Sequence, residues 1–346
     1  MNSSLRRALG VAALAVATRT GALVAQAPAP APPPVTVSGV VFTQALYQLT
    51  DTLNHVNRFD ITRAYINVIG KFSGGLYTRV TADIYINPNP TDSSRTYRIK
   101  YAYVAYTPAK SPLTFKIGEM HTPWVEWEDA MWDYRMQGTS AMDRNGYVSS
   151  SDFGAGVDGK WGPDKVNFQV GLYNGENYNK GTGDQRKDGM ARVSVRVRDT
   201  DDSSRVGGLR VSAYGQYGNP TTGGTRQRLL GLVSYKSKQV TLAGEAAFTR
   251  DSVTGGAMTN GHVYSAFGVF KFPKSKAAVI ARVDIVHPQA GNTTDKQTRL
   301  IAGASYQLHP NWRLLLDWDF LGYQTTPTPA QEATRSQALF QTQFTF

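Results

Sequence analysis

From Val35 to the C-terminus, apolar and polar residues alternate in runs of roughly 10 to 16 residues, rich in β-branched and aromatic side chains. No stretch shows a helical period. The pattern predicts sixteen strands, the first over 35–50 and the last over 335–346. Their connections fall into two alternating classes. Short ones lie around Ser73-Gly74, Pro108 to Ser111, Pro163, Asp199 to Ser203, Ser237-Lys238, Pro273 to Ser275 and Pro310. Longer ones cover 51–57, 88–94, 121–150, 175–187, 219–225, 251–260, 288–296 and 324–334. Strict alternation of this kind predicts an all-β fold, a 16-stranded antiparallel transmembrane β-barrel of the outer membrane. Its turns are short on the periplasmic side, its loops long outside, and both termini are periplasmic.

The alternation also says which face meets lipid. In Met190 to Arg198 one face carries Ala191, Val193, Val195 and Val197, the other Arg192, Arg196 and Arg198. Each arginine against lipid near the midplane costs roughly 2–4 kcal/mol, so the valine face is outward. The same parity sends Arg63, Arg79, Arg98, Lys100, Lys116, Arg282 and Arg299 into the lumen, together with Asp83, Asp284, Glu245, Asp317 and Asp319. Outward faces carry aromatics at both ends, Trp312 with Phe320 and Tyr264 with Phe272, as the two girdles of a membrane barrel do. The final run puts Phe340, Phe344 and Phe346 on alternate outward positions, a C-terminal signature that barrel-insertion machinery recognises.

The N-terminus reads differently. Arg6 and Arg7 precede an apolar run from Ala8 to Ala17 and then small residues, the layout of a secretory signal peptide over 1–26. A proline-rich leader over 27–34 follows, and the barrel occupies 35–346. Arg6, Arg7 and Arg19 lie in the removed segment, so the net charge of +11 falls to +8. The basic residues are spread singly rather than clustered on one face, which points away from nucleic acid. With no cysteine there are no disulfides and no thiol chemistry. The five histidines, among them His121 and His287, form no nucleophile or metal pattern, and Asp199, Asp201 and Asp202 lack calcium-loop spacing. No enzyme, cofactor or metal is expected.

Three segments carry a family resemblance. Phe59 to Ile84, Phe115 to Pro123 and Gly154 to Gly175 resemble the phosphate-selective porin O and P family. The resemblance implies a sixteen-stranded channel, a homotrimer, and a third external loop folded into the lumen. The third long connection, 121–150, is the longest and holds Trp124, Trp127 and Trp132, three of the six tryptophans. It is acidic, with Glu126, Glu128, Asp129, Asp133 and Asp143 against Arg135 and Arg144. The expected function is an outer-membrane porin passing small hydrophilic solutes, with a basic wall favouring anions such as phosphate. An acidic loop opposite that wall predicts a transverse field suited to dipolar solutes. The competing expectation is a non-conducting structural or adhesive barrel.

Overall fold

The computed structural model describes residues 34–86, 94–179, 184–220 and 223–346. The expected signal peptide, nearly all of the proline leader, and parts of the loops 88–94, 175–187 and 219–225 lie outside the described residues. The first eight strands are β1 (Val35–Gln48), β2 (Asn57–Lys71), β3 (Leu76–Ile86), β4 (Arg95–Tyr106), β5 (Leu113–His121), β6 (Ser151–Trp161), β7 (Val166–Tyr173) and β8 (Asp188–Arg198). The second eight are β9 (Gly208–Gly218), β10 (Arg226–Lys236), β11 (Val240–Asp251), β12 (Thr259–Lys271), β13 (Ala277–His287), β14 (Gln297–His309), β15 (Trp312–Tyr323) and β16 (Ser336–Thr345). Each pairs antiparallel with its sequence neighbours, and β1 pairs with β16 to close the barrel.

The burial pattern is that of a soluble protein turned inside out. In β8 the valines at 193, 195 and 197 are exposed on the outer wall, while Arg192 and Ser194 are buried within. A lipid-facing wall is stable only if every backbone group is paired within the sheet, which closure secures. The last bonds of that closure are Gly39 N to Phe346 O at 2.9 Å and Phe346 N to Gly39 O at 3.1 Å. Phe346 also stacks near Phe344, with ring centroids 6.3 Å apart. Deleting Phe346 is expected to lower the yield of folded barrel, read as the fraction of protein whose gel mobility shifts on boiling. An unchanged fraction would contradict that role.

Three departures from simple alternation matter for the lumen. At the pairing of β3 with β4 the register slips at Lys100, so that Thr81 faces Tyr101 and Ala82 faces Ile99. Parity reverses there, and Tyr101 and Tyr103 turn inward beside Lys100. A second slip at Val197 leaves Arg198 opposite Leu209, on the outward parity of Val211. Arg198 therefore does not line the lumen as expected; it is exposed at the short-turn rim.

The third departure is the connection from β8 to β9, which spans 199–207. The run expected to begin at 204 begins at Gly208 (φ +91°), where an added Cβ would meet Arg198 O at 2.6 Å. Residues 204–207 form a braced turn instead: Ser204 N donates to Asp202 Oδ1 at 2.8 Å and Gly207 N to Ser204 O at 3.0 Å.

Candidate functional site: the constriction loop and the wall it faces

The 29 residues between β5 and β6 fold into the barrel and carry two helices, α1 (Val125–Trp132) and α2 (Ala141–Arg144). Ser140 caps α2, and α1 ends on Asp133 in the left-handed region at φ 60°. The helical period sorts the loop. Trp124, Glu128 and Met131 fall on one face and are fully buried against the barrel wall, while Glu126 and Asp129 fall on the other.

The buried face has an apolar seat. Inward positions of β10, β12 and β13 hold Leu230, Leu232, Val263, Phe267, Val269 and Ile280, all buried. Trp132 packs edge-on to Phe267 at 5.2 Å, with the Arg282 guanidinium 5.4 Å from its centroid. Polar bonds pin the loop along the same half of the barrel. Trp127 Nε1 donates to Ser212 at 3.2 Å, Lys236 Nζ to Ala130 O at 2.8 Å, Arg313 to Asp133 O at 2.7 Å and Gln341 to Met136 O at 3.0 Å.

One pin is a shared one. Trp124 Nε1 donates to Glu128 Oε2 at 3.1 Å and to Glu245 Oε2 at 3.0 Å. Burial raises the Glu128 carboxyl above its ordinary value. A raised carboxyl favours the seated loop while it keeps its proton, and that contribution is lost as pH rises through the raised value. The loop is therefore expected to loosen as pH rises from mildly acidic to about neutral, and E128Q to weaken that dependence, Glu245 remaining as the other carboxyl on Trp124. Channel noise against pH reads it; a pH-independent trace from the unsubstituted protein would refute it.

The expected lumen residues divide into groups. Arg63, Arg79, Arg98 and Lys100 gather on β2, β3 and β4, Lys100 buried at 2% exposure and Arg79 Nη1 3.3 Å from His121 Nε2, the nitrogen that also lies 3.4 Å from Glu126 on the open face of α1. Arg63 pairs with Asp83 at 2.6 Å and Arg98 with the same carboxylate at 3.7 Å. Arg79 donates to Asn67 at 2.9 Å and lies over Tyr101 at 4.7 Å. Lys100 Nζ donates to the Tyr65 hydroxyl at 2.9 Å and sits 5.2 Å from the Tyr178 ring, which also lies 4.5 Å from Arg98. Lys116 pairs with Asp158 at 2.8 Å next to this wall.

The remaining cations do other work. Arg192 donates to Pro123 O at 2.9 Å and lies 4.0 Å from the Trp127 ring, beneath the loop. Arg282 pairs with Asp284 at 2.8 Å and donates to Thr139 O at 3.2 Å, also covered. Arg299 pairs with Asp319 at 2.7 Å. Arg196 reaches Ser204 O at 2.9 Å in the turn.

The loop is not a free acidic surface. Glu128 is buried, and Asp133 turns to Arg313 at 3.4 Å and Lys271 at 3.7 Å. On the open face Asp129 pairs with Arg135 at 3.0 Å. Glu126 is bonded to Arg205 at 3.2 Å and lies 3.4 Å from His121. Enclosure works to raise the Glu126 carboxyl, but His121, Arg205, Lys116 and Arg79 outweigh it and hold it at about 2. The transverse field expected from the sequence is thus largely cancelled on the loop side, because both open-face carboxylates carry an arginine partner. Arg205, Tyr65, Tyr101 and Tyr178 escape the sequence pattern for different reasons: the bulge at Lys100 hides Tyr101, the turn hides Arg205, Tyr178 lies in a long loop where alternation says nothing, and Tyr65 shares the parity of Arg63 but carries no charge.

A closed sixteen-stranded antiparallel barrel, inside-out in polarity and narrowed by its third loop, defines an outer-membrane porin. The chain belongs to the Gram-negative porin family, whose sequence model matches residues 10–326. No curated protein sequence matches it. Among solved structures it is similar to a loop-deletion mutant of OmpT, an outer membrane protein of Vibrio cholerae, at 12% identity and TM-score 0.66, covering 90% of this chain and 99% of that one. It is also similar to an anion-selective porin from Comamonas acidovorans, at 14% identity and TM-score 0.65 with the same coverage. A Rh. blastica porin mutant matches at 13% identity and TM-score 0.57, covering 90% of this chain and 100% of that one.

Proposed function

We propose that this porin is a passive-diffusion pore with a preference for small anions, lined by Arg63, Arg79, Arg98, Lys100 and Lys116 and narrowed by the open face of α1. The observation that carries the reading is the charge balance across the passage. On the β2–β4 wall Arg63, Arg79, Arg98 and Lys100 stand around one carboxylate, Asp83, the other, Asp60, being taken up by Arg95, while the open-face carboxylates Glu126 and Asp129 are each matched by an arginine. Basic side chains around a narrow aqueous path lower the barrier for anions and raise it for cations. Phosphate falls within that class as one small anion; the wall offers charge and tyrosine hydroxyls rather than a set of convergent unpaired donors. The anion-selective character of the Comamonas porin supports the same direction.

We also propose a homotrimer, consistent with a trimer form of the similar Vibrio OmpT, and engagement of the insertion machinery by the strand ending at Phe346. The signal peptide over 1–26 belongs to the same proposal of export.

The test is conductance of the purified protein in a planar bilayer, with the reversal potential measured under a KCl gradient. Stable open steps with an anion-selective sign support the reading. Cation-selective or unselective steps retain the pore and remove the preference. A folded barrel that passes no current replaces the pore with the structural or adhesive barrel.

A further inference from the structure

We propose that Arg205, carried into the barrel by the turn between β8 and β9, is a selectivity-determining residue that sets the charge of the constriction from the periplasmic side. This rests on the porin reading above.

The turn is braced without it. Thr200 Oγ1 donates to Lys236 O at 2.5 Å, Lys238 N donates to Asp201 Oδ1 at 2.9 Å, and Val206 is buried at 3% exposure. None of these contacts uses the Arg205 side chain. From this fixed base Arg205 reaches Glu126, bonding its carboxylate at 3.2 Å, and its guanidinium lies 5.9 Å from the Trp127 ring. Both members stay wet, with side-chain exposures of 47% for Arg205 and 40% for Glu126. An arginine needed only for packing would be covered; this one stands in the solvent of the lumen, against a carboxylate on the open face of the constriction helix.

The consequence is a division of labour in neutralising the loop. Asp129 is matched from within, by Arg135, whereas Glu126 is matched by a residue 79 positions further along the chain, from the turn between β8 and β9. Without Arg205, Glu126 would present an unmatched anion beside Arg79, with only His121 between them, and the four-cation wall would border a negative edge instead of a neutral one. A solute anion leaving toward the periplasm would then meet repulsion where it now meets a guanidinium.

The experiment uses the full chain in planar bilayers under a KCl gradient, after a boiling-shift gel confirms that each variant is folded. R205Q is expected to lower the anion-to-cation permeability ratio by about two-fold, the size of one unit charge acting through water over roughly a Debye length. R205K keeps the charge and is expected to keep the ratio. The pair R205Q with E126Q removes both charges, leaves the edge neutral again, and is expected to restore the ratio close to that of the unsubstituted protein.

An unchanged ratio in R205Q overturns the proposal while leaving the porin intact. So does a lysine variant that behaves like glutamine, or a double variant that stays as low as R205Q, since either outcome makes the effect one of shape rather than charge. A folded unsubstituted barrel without conductance overturns the porin reading and this inference with it.

Discussion

Replacing Trp132 with alanine is expected to widen the pore: a higher single-channel conductance and a noisy open level in place of a steady one. Trp132 is 1% exposed and sits at the centre of the loop's seat, against Phe267 and under Arg282. Truncating a buried tryptophan costs about 3–5 kcal/mol through lost burial and the cavity left behind. The cost here falls on the seating of the loop rather than on the barrel, because the ladder of sixteen strands does not pass through Trp132. The boiling shift should therefore survive while the conductance changes. Steady steps of unaltered size from W132A would mean that the polar pins alone, through Lys236, Arg313 and Gln341, hold the loop in place.

The second large effect is expected from the wall. Changing Arg63, Arg79, Arg98 and Lys100 together to glutamine should abolish the proposed anion preference and carry the reversal potential to the cation side, since Asp83 then stands without its partners. Single substitution of Arg79 or Lys100 should move the permeability ratio by about two-fold, by the same unit-charge arithmetic that applies to any water-screened site a Debye length from the ion path. The wall arginines already bonded to Asp83 would show less than this when changed singly, because the freed carboxylate relaxes toward the remaining cation. A quadruple variant that keeps its anion preference would place the selectivity elsewhere, with Lys116 and Arg205 the next residues to change.

Much of this architecture is legible in the sequence because a barrel wall has a period of two and nothing else competes with it. Ala277, Val279, Ala281, Val283 and Ile285 point out from β13 as their alternation with Arg282 and Asp284 requires. What alternation cannot carry is a single inserted residue. Lys100 and Val197 each reverse the parity of the residues beyond them, which brings Tyr101 and Tyr103 in and puts Arg198 out. The seat of the loop left a trace that period-two reading passes over. β13 carries Ala278, Ile280 and Val286 on its inner face beside Arg282 and Asp284, where a strand bordering only water would be polar throughout. That pattern marks a wall covered on its inner side.

The sorting of the loop itself was hidden for a related reason. Read as a list, Glu126, Glu128, Asp129 and Asp133 form one acidic cluster; wound into α1 and its cap they point to three different places. The Arg205 contact depends on a turn reaching back into the lumen, a tertiary event with no signal in local spacing.

The bonds that anchor the loop lie on strands β8 to β16, and the charged wall of β2 to β4 carries none of them, so the two halves of this barrel carry separate burdens. Substitutions on the anchoring half put the aperture itself at risk, whereas those on the charged wall, on the proposed reading, change what the aperture admits. A lineage adapting to a new nutrient could therefore rewrite Arg63, Arg79, Arg98 or Lys100 one at a time without first having to rebuild the gate frame. Preference is the part of this molecule that is cheap to alter, and calibre the part that is not.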